Sequence, residues 1–230
     1  MVVREVLTQA ARQRSSARVG EVAVLSSGVL MAAYLLLRPY GDTRGVAATA
    51  EAFASPWWLI AHLCGVGALA CFAAFAWSVA GADRLGAVVR GSAVAGAVLV
   101  LPYYGAESFG LHAIGQAYLE GDLVDLELAD AVRNHAAAMS SFGIGLLLLA
   151  VAGVTSAVAV ARSFQPGAAV ATRYAAWPLG LLVAVFLPQF YLPPFGRMAF
   201  GVAYLAAAIW AWRAQTKWQL APANRELAAA

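Results

Sequence analysis

Six stretches of this chain contain no Asp, Glu, Lys or Arg: residues 22–37, 52–82, 91–106, 136–161, 174–196 and 198–212. A bilayer core of about 30 Å takes about 20 residues of helix, fewer where flanking side chains reach back to the interface. Runs of this length and apolarity leave few other folds. With 62% apolar and 12% charged residues and a mean hydropathy of +0.73, the chain lies far from the roughly 25% charged residues of a soluble domain. The expectation is an all-α, polytopic transmembrane bundle of six spans. Residues 1–18 form a basic lead-in on the membrane surface, 19–213 the transmembrane domain and 214–230 a short tail.

Orientation follows from the basic residues. With the amino terminus inside, Arg4, Arg12, Arg14, Arg18, Arg84, Arg90, Arg162, Arg173, Arg213, Lys217 and Arg225 fall on the inner side, and only Arg38, Arg44, Arg133 and Arg197 fall outside. Eleven against four is a positive-inside bias that needs an even number of crossings, so both termini are expected in the cytoplasm of a cell membrane. The net charge of +3 is then accounted for by arginines facing anionic lipid. The expected partners are the bilayer and a membrane protein or second copy, with no nucleic acid. Fourteen Arg against one Lys, with abundant Ala, points to a GC-rich bacterial genome.

Along the chain, span one ends near Arg38 and is followed by a short loop through Asp42, Arg44 and Glu51. Pro56, Trp57 and Trp58 open span two at headgroup level, and it runs to about Ala80. Span three rises from an inner loop at 81–90 to the stretch PYYGAESFGLHAIG, residues 102–115. An acidic outer connection over about 114–134 follows. Val124, Leu128, Ala131, Val132 and His135 recur at helical spacing, so span four is expected to begin above the membrane. Span five runs from Tyr174 to Tyr191, and a tight turn through Pro193 and Pro194 leads into a short span six. Cys64 and Cys71 are seven residues apart on one helix, too far for a bond within it, and read as packing residues.

Function must be sought in the few polar groups of the apolar spans, because ionisable residues there are costly and usually paired. His62, Glu107, Ser108, His112, His135 and Gln189 all fall in the outer halves or at outer boundaries, which points to a polar pocket facing outward. Residues near an interface are also simply permitted to be polar, and a structural role is the leading expectation. On a straight helix Glu107 and His112 stand about 140° apart, so either Gly105 and Gly110 bend the segment or the two face different neighbours. Glu107 is expected to meet His62 or His135. Pro102 and Pro188, each in the outer part of a span near tyrosines, match the broken-helix pattern of transporters.

Three chemistries fit the polar set besides the structural one. Two histidines on different helices, His62 and His135, could hold a haem. Alternatively His62, His112 and His135 could bind zinc, with Glu107 activating its water. Ser108 and His112 have a spacing that resembles the Ser-x3-His element of alkaline ceramidases and related membrane hydrolases, but the His-x3-His pair of those enzymes is missing and the family is not assigned. Without metal, Glu107 and a histidine form a proton-titrating pair in a small transporter or ligand-binding protein. No cofactor is required by the sequence. GxSxG, P-loop, HExxH and CxxC patterns are all missing from it, so a soluble-enzyme chemistry is not indicated. The expected role is a structural or partner-binding membrane subunit.

Overall fold

The computed structural model describes the backbone of residues 2–121, 125–164 and 169–228, and side chains for 18–121, 125–164 and 169–216. Among these residues there are helices and no strands. The order is α1 (Val2–Leu37), α2 (Val46–Ala54), α3 (Pro56–Val79), α4 (Arg84–Gly105), α5 (Leu111–Leu119), α6 (Glu127–Arg133), α7 (Ala136–Ser163), α8 (Val170–Arg173), α9 (Trp177–Ala184) and α10 (Pro194–Ala228). A π turn, Ala106–Gly110, joins α4 to α5, and 3-10 turns lie at Gly41–Thr43 and Pro188–Tyr191. Among the described residues, five stretches are long and apolar enough to cross a bilayer: Arg18–Leu37, Pro56–Val79, Arg84–Leu119, Ala136–Ser163 and Pro194–Thr216.

Local chemistry sets where these helices start. Pro56 opens α3 with Ser55 as its cap, the serine oxygen accepting from the Trp57 amide at 3.2 Å; proline suits this position because the first-turn amides lack intrahelical partners. Asp83 caps α4 in the same way through the Gly86 amide at 2.9 Å, and Arg90 donates to the Ala80 and Gly81 carbonyls across the turn. That cap starts α4 at Arg84, well inside the expected loop. Along α3, Trp57 and Trp77 are both exposed and twenty residues apart, or about 30 Å, the thickness of a bilayer core. The Trp57 end is called the upper end below.

Small residues bring the helices together. Ser27 of α1 donates to the Ala68 carbonyl of α3 at 2.8 Å and lies 3.0 Å from the Tyr204 hydroxyl of α10, tying three helices at mid-height. α10 lies antiparallel to α1: Gly201 faces Leu35 near the upper end and Gln215 lies beside Gly20 at the lower. α7 packs antiparallel to α4 through Gly145 and Gly96.

Several expectations about element limits are corrected. Continuous apolar helix was expected from Tyr174 to Tyr191, but only Trp177–Ala184 is α-helical before a turn and the 3-10 turn at Pro188, whose proline has no amide hydrogen to continue the ladder. The broken segment nonetheless follows α7 along its length. Arg173 donates to the Ala161 carbonyl at 3.2 Å, Gly180 abuts Gly153, and the Phe190 ring lies 5.7 Å from that of Phe142. The backbone of the lead-in runs on without a break into the first span, no proline or glycine interrupting residues 2–19. α10 likewise runs to Ala228, and its bilayer-length part, Pro194–Thr216, is longer than the short last span expected. The stretch at helical spacing before span four is a helix of its own, α6, which the extended backbone of His135 (φ −59°, ψ 124°) separates from α7. Val124 of that expected stretch lies outside the described residues.

A second, smaller layer covers the upper end. The expected loop after span one contains α2, and α5 extends the third span to Leu119, so the acidic connection is shorter than expected. With α6, these helices bury Ala52, Phe53, Trp58, Leu111, Ile114 and Ala129 in a core of their own. Gly115 permits the closest approach, since a Cβ there would lie 2.6 Å from Phe53 Cβ.

The α7–α9 contact supplies a test of this packing. A Cβ on Gly153 would come 2.5 Å from the Gly180 carbonyl oxygen. Gly153→Val is therefore expected to lower stability in detergent by about 1–3 kcal/mol, measured as thermal unfolding, whereas Gly143→Ala, which faces open space, is expected to leave it unchanged.

Candidate functional site

Between the bundle and its upper layer lies a cluster of buried charge. The π turn begins it. Five residues close one turn there, the Leu111 amide bonding the Ala106 carbonyl, and its consecutive Glu107 and Ser108 are both buried, at 7% and 1% exposure. π turns occur disproportionately at functional positions. The Glu107 carbonyl accepts from the Trp58 indole N–H at 2.7 Å, so a group from α3 bonds the interrupted turn.

The Glu107 carboxylate is held by Arg133 of α6 in a two-pronged pair, Nε to Oε1 at 2.9 Å and the terminal nitrogen to Oε2 at 3.2 Å. The same terminal nitrogen reaches Asp42 at 3.3 Å. Asp42 in turn takes both terminal nitrogens of Arg38, at 3.3 and 2.7 Å. Two arginines and two carboxylates thus form one charge-balanced chain. Trp58 is its floor: the Arg38 guanidinium lies 4.6 Å and that of Arg133 5.6 Å from the indole centre, within the range of cation–π attraction. Fully buried, Trp58 also packs against Phe53 and His62.

His62 stands one turn below Trp58. Its Nδ1 is 2.7 Å from the Trp58 carbonyl and its Nε2 is 3.5 Å from Glu107 Oε2. A ring nitrogen facing a carbonyl oxygen must carry the hydrogen, which makes Nδ1 the donor in the neutral ring. Nε2 is then left facing the carboxylate.

The loop charges are perturbed by this setting. Burial acts to raise the Asp42 carboxyl, but Arg38 and Arg133 outweigh it and hold it below the ordinary value. Burial likewise works against the charge of Arg38 and of Arg133, and the carboxylates more than restore it, Asp42 for Arg38 and Glu107 for Arg133. Tyr40, whose hydroxyl donates to the Leu35 carbonyl at 2.7 Å, is pushed up to about 12, chiefly by burial.

The sequence candidates divide clearly. His62 and Glu107 come together. His112 lies apart, its Nδ1 bonding the Phe53 carbonyl at 2.8 Å and pinning α5 to α2. His135 is exposed in the α6–α7 link and does not meet Glu107. Among the described residues no three His, Cys, Asp or Glu side chains converge as metal ligands, so His62, His112 and His135 are not one site. Ser108 and Gln189 are buried without hydrogen-bond partners in the protein. Arg133, Arg38 and Asp42, the other members of the cluster, were not among the expected residues. A signal existed: Arg38 and Arg133 are two of the four arginines on the side that the charge bias leaves nearly free of them. A third, Arg197, turns back on the Leu192 and Phe190 carbonyls.

Fold and cluster together define an all-helical protein with five bilayer-length helices and a buried, charge-balanced ion-pair chain under a small helical cap. No family model, curated protein or solved structure matches the chain.

Two measurements follow. Removing one partner of a buried pair strands the other charge, so Arg133→Ala is expected to cost about 3–5 kcal/mol, and the double variant with Glu107→Leu less than the sum of the two, in a thermal-unfolding cycle. Strict additivity would contradict the pair. For Asp42 the folded carboxyl releases its proton more readily than the ordinary 3.8. Its stabilisation is therefore complete above that value and lost as the pH falls below it. Acid titration followed by tryptophan fluorescence should show a slope below about pH 4 that Asp42→Asn reduces.

Proposed function

We propose that this protein is a multi-pass subunit of the cell membrane with a structural or partner-binding role, whose charged cluster locks the cap onto the bundle. The observation that carries this reading is that each of the four formal charges in the cluster is neutralised by another member. An open substrate site would leave at least one of them free for a ligand. Buried ion pairs add little net stability but fix one arrangement of the groups that form them. A rigid cap of this kind presents a constant outer surface to a neighbouring membrane protein.

In this reading the broken segment at 173–191 makes the sixth crossing, and both termini lie in the cytoplasm. The antiparallel run of that segment along α7 supports it, as do the adjacent ends of α1 and α10 and the eleven-to-four arginine and lysine bias. In a variant with Cys64 and Cys71 replaced, an impermeant thiol reagent applied to intact cells is expected to label Glu120→Cys and to spare Ala82→Cys. The reverse pattern would invert the topology.

The 3.5 Å approach of His62 Nε2 to Glu107 Oε2 favours one second reading, a proton-titrating pair in a small transporter. Reconstitution decides between the two. In proteoliposomes with an imposed pH gradient and an internal pH-sensitive dye, the structural reading expects no flux above that of empty vesicles. A flux that Glu107→Gln abolishes would replace it with the transporter reading.

A further inference from the structure

One cation at the upper end of the bundle has no counter-charge in the protein. Arg197 lies in the first turn of α10 and is partly exposed. Its Nε donates to the Leu192 carbonyl at 2.9 Å and one terminal nitrogen to the Phe190 carbonyl, bonds that fix the guanidinium on the turn before α10 without neutralising it. Among the described residues no carboxylate pairs with it. Its nearest charged neighbour across Tyr40 is another cation: the Arg38 guanidinium lies 5.0 Å from the centre of that ring and the Arg197 guanidinium 6.0 Å. Asp42 neutralises Arg38. With Arg197 added at its edge, the ion-pair chain has three arginines to two carboxylates, and the set carries one net positive charge.

The height of Arg197 says which anions reach it. Gly201, one turn further down α10, packs on Leu35, and Arg38 joins the Tyr40 ring beside Arg197 to the Trp58 indole. Arg197 therefore stands at the level where α3 begins with Trp57 and Trp58. The turn that leads to it carries Tyr191 and Phe195, 87% and 80% exposed, and Trp57 is exposed at the same end. Aromatic side chains left open at the end of a membrane bundle occupy the headgroup layer. The anions held in that layer are the phosphodiesters of lipid.

We propose that Arg197 binds the phosphodiester of one phospholipid in the upper leaflet. A guanidinium has five N–H groups, and the two bonds to carbonyls leave three. Those on the two terminal nitrogens form an edge that meets two phosphate oxygens at once. A phosphodiester carries one negative charge, the amount by which the carboxylates fall short. Free phosphate offers the same oxygens, but the exposed rings of Tyr191 and Phe195 give the same turn an apolar surface that suits the glycerol and chains of a lipid. The inference rests on the bundle standing in a bilayer and not on the role assigned to the cap.

The test uses the full chain in an uncharged detergent, with lipid binding followed by native mass spectrometry. Phosphatidylglycerol is expected to bind the wild type at one saturable site, about tenfold or more tighter than its phosphate methyl ester, which has the same chains and no charge; this is the equivalent of one hydrogen bond to a charged group or more. Arg197→Gln should bring phosphatidylglycerol down to the affinity of the methyl ester, and Arg197→Lys, which keeps the charge and loses the fork, to a value between. Arg44→Gln, which removes an exposed arginine from the loop at the same end, should leave the affinity unchanged. The comparison of the two lipids on the wild type stands whether or not Arg197→Gln folds. Four results overturn the proposal: equal binding of both lipids by the wild type; equal affinity in the wild type and a folded Arg197→Gln; an equal loss in Arg44→Gln, the mark of diffuse surface charge; or displacement of phosphatidylglycerol by inorganic phosphate at the same concentration, the mark of a site for a dissolved anion.

Discussion

The fork between Arg133 and Glu107 is the contact on which the upper half of this protein depends. Glu107 belongs to the helix that rises through the bundle and Arg133 to the cap, so the two layers are joined by charge as well as by apolar packing. Everything nearby serves to make that charge tolerable. Asp42 shares the arginine, Arg38 balances Asp42, and the indole of Trp58 lies beneath both guanidinium groups. A carboxylate taken from water alone at this depth would be protonated or expelled. Arginine suits the position because its planar fork meets both oxygens at once.

The π turn is what brings Glu107 to this contact. Glu107 and Ser108 are consecutive in this widened turn and both are buried. The cost of the irregular backbone is offset locally by the Trp58 indole, which bonds the Glu107 carbonyl. One tryptophan therefore serves the backbone, the guanidinium groups and the small cap core. Elsewhere the helices meet by close approach of backbones, Gly153 against Gly180 and Gly96 against Gly145.

How much of this was legible in the sequence depended on range. The apolar runs announce the long helices, and Pro56 marks the start of α3, because capping is a matter of three or four residues; the same local signal at Asp83 went unread, and the loop was expected to run on to 90. The approach of His62 to Glu107 was also readable, since two costly groups in neighbouring spans need each other. Arg133 was not. It is separated from its partner by 26 positions and sits in an acidic, solvated-looking stretch whose composition gives no hint that it folds back. α2 was hidden for a similar reason: VAATAEAFA is too short to read as a span and is stabilised by packing on α5. Pro188 and the pair Gly105 and Gly110 did mark where helices are interrupted, but the form of each break, a 3-10 turn in one and a π turn in the other, depends on neighbours that hold irregular backbone.

The order in which the charges appear along the chain bears on how the protein is made. Arg38 and Asp42 are four residues apart, so each is neutralised almost as soon as it leaves the ribosome. Glu107 has no such local counter-charge; until α6 has been synthesised, its carboxylate has His62 and Tyr103 beside it but no arginine fork. The third apolar segment must therefore be accepted into the bilayer with an incomplete site at its top, and the cap closes afterwards. A chain interrupted between Glu107 and Arg133 would carry that carboxylate without the arginine that holds it in the finished fold.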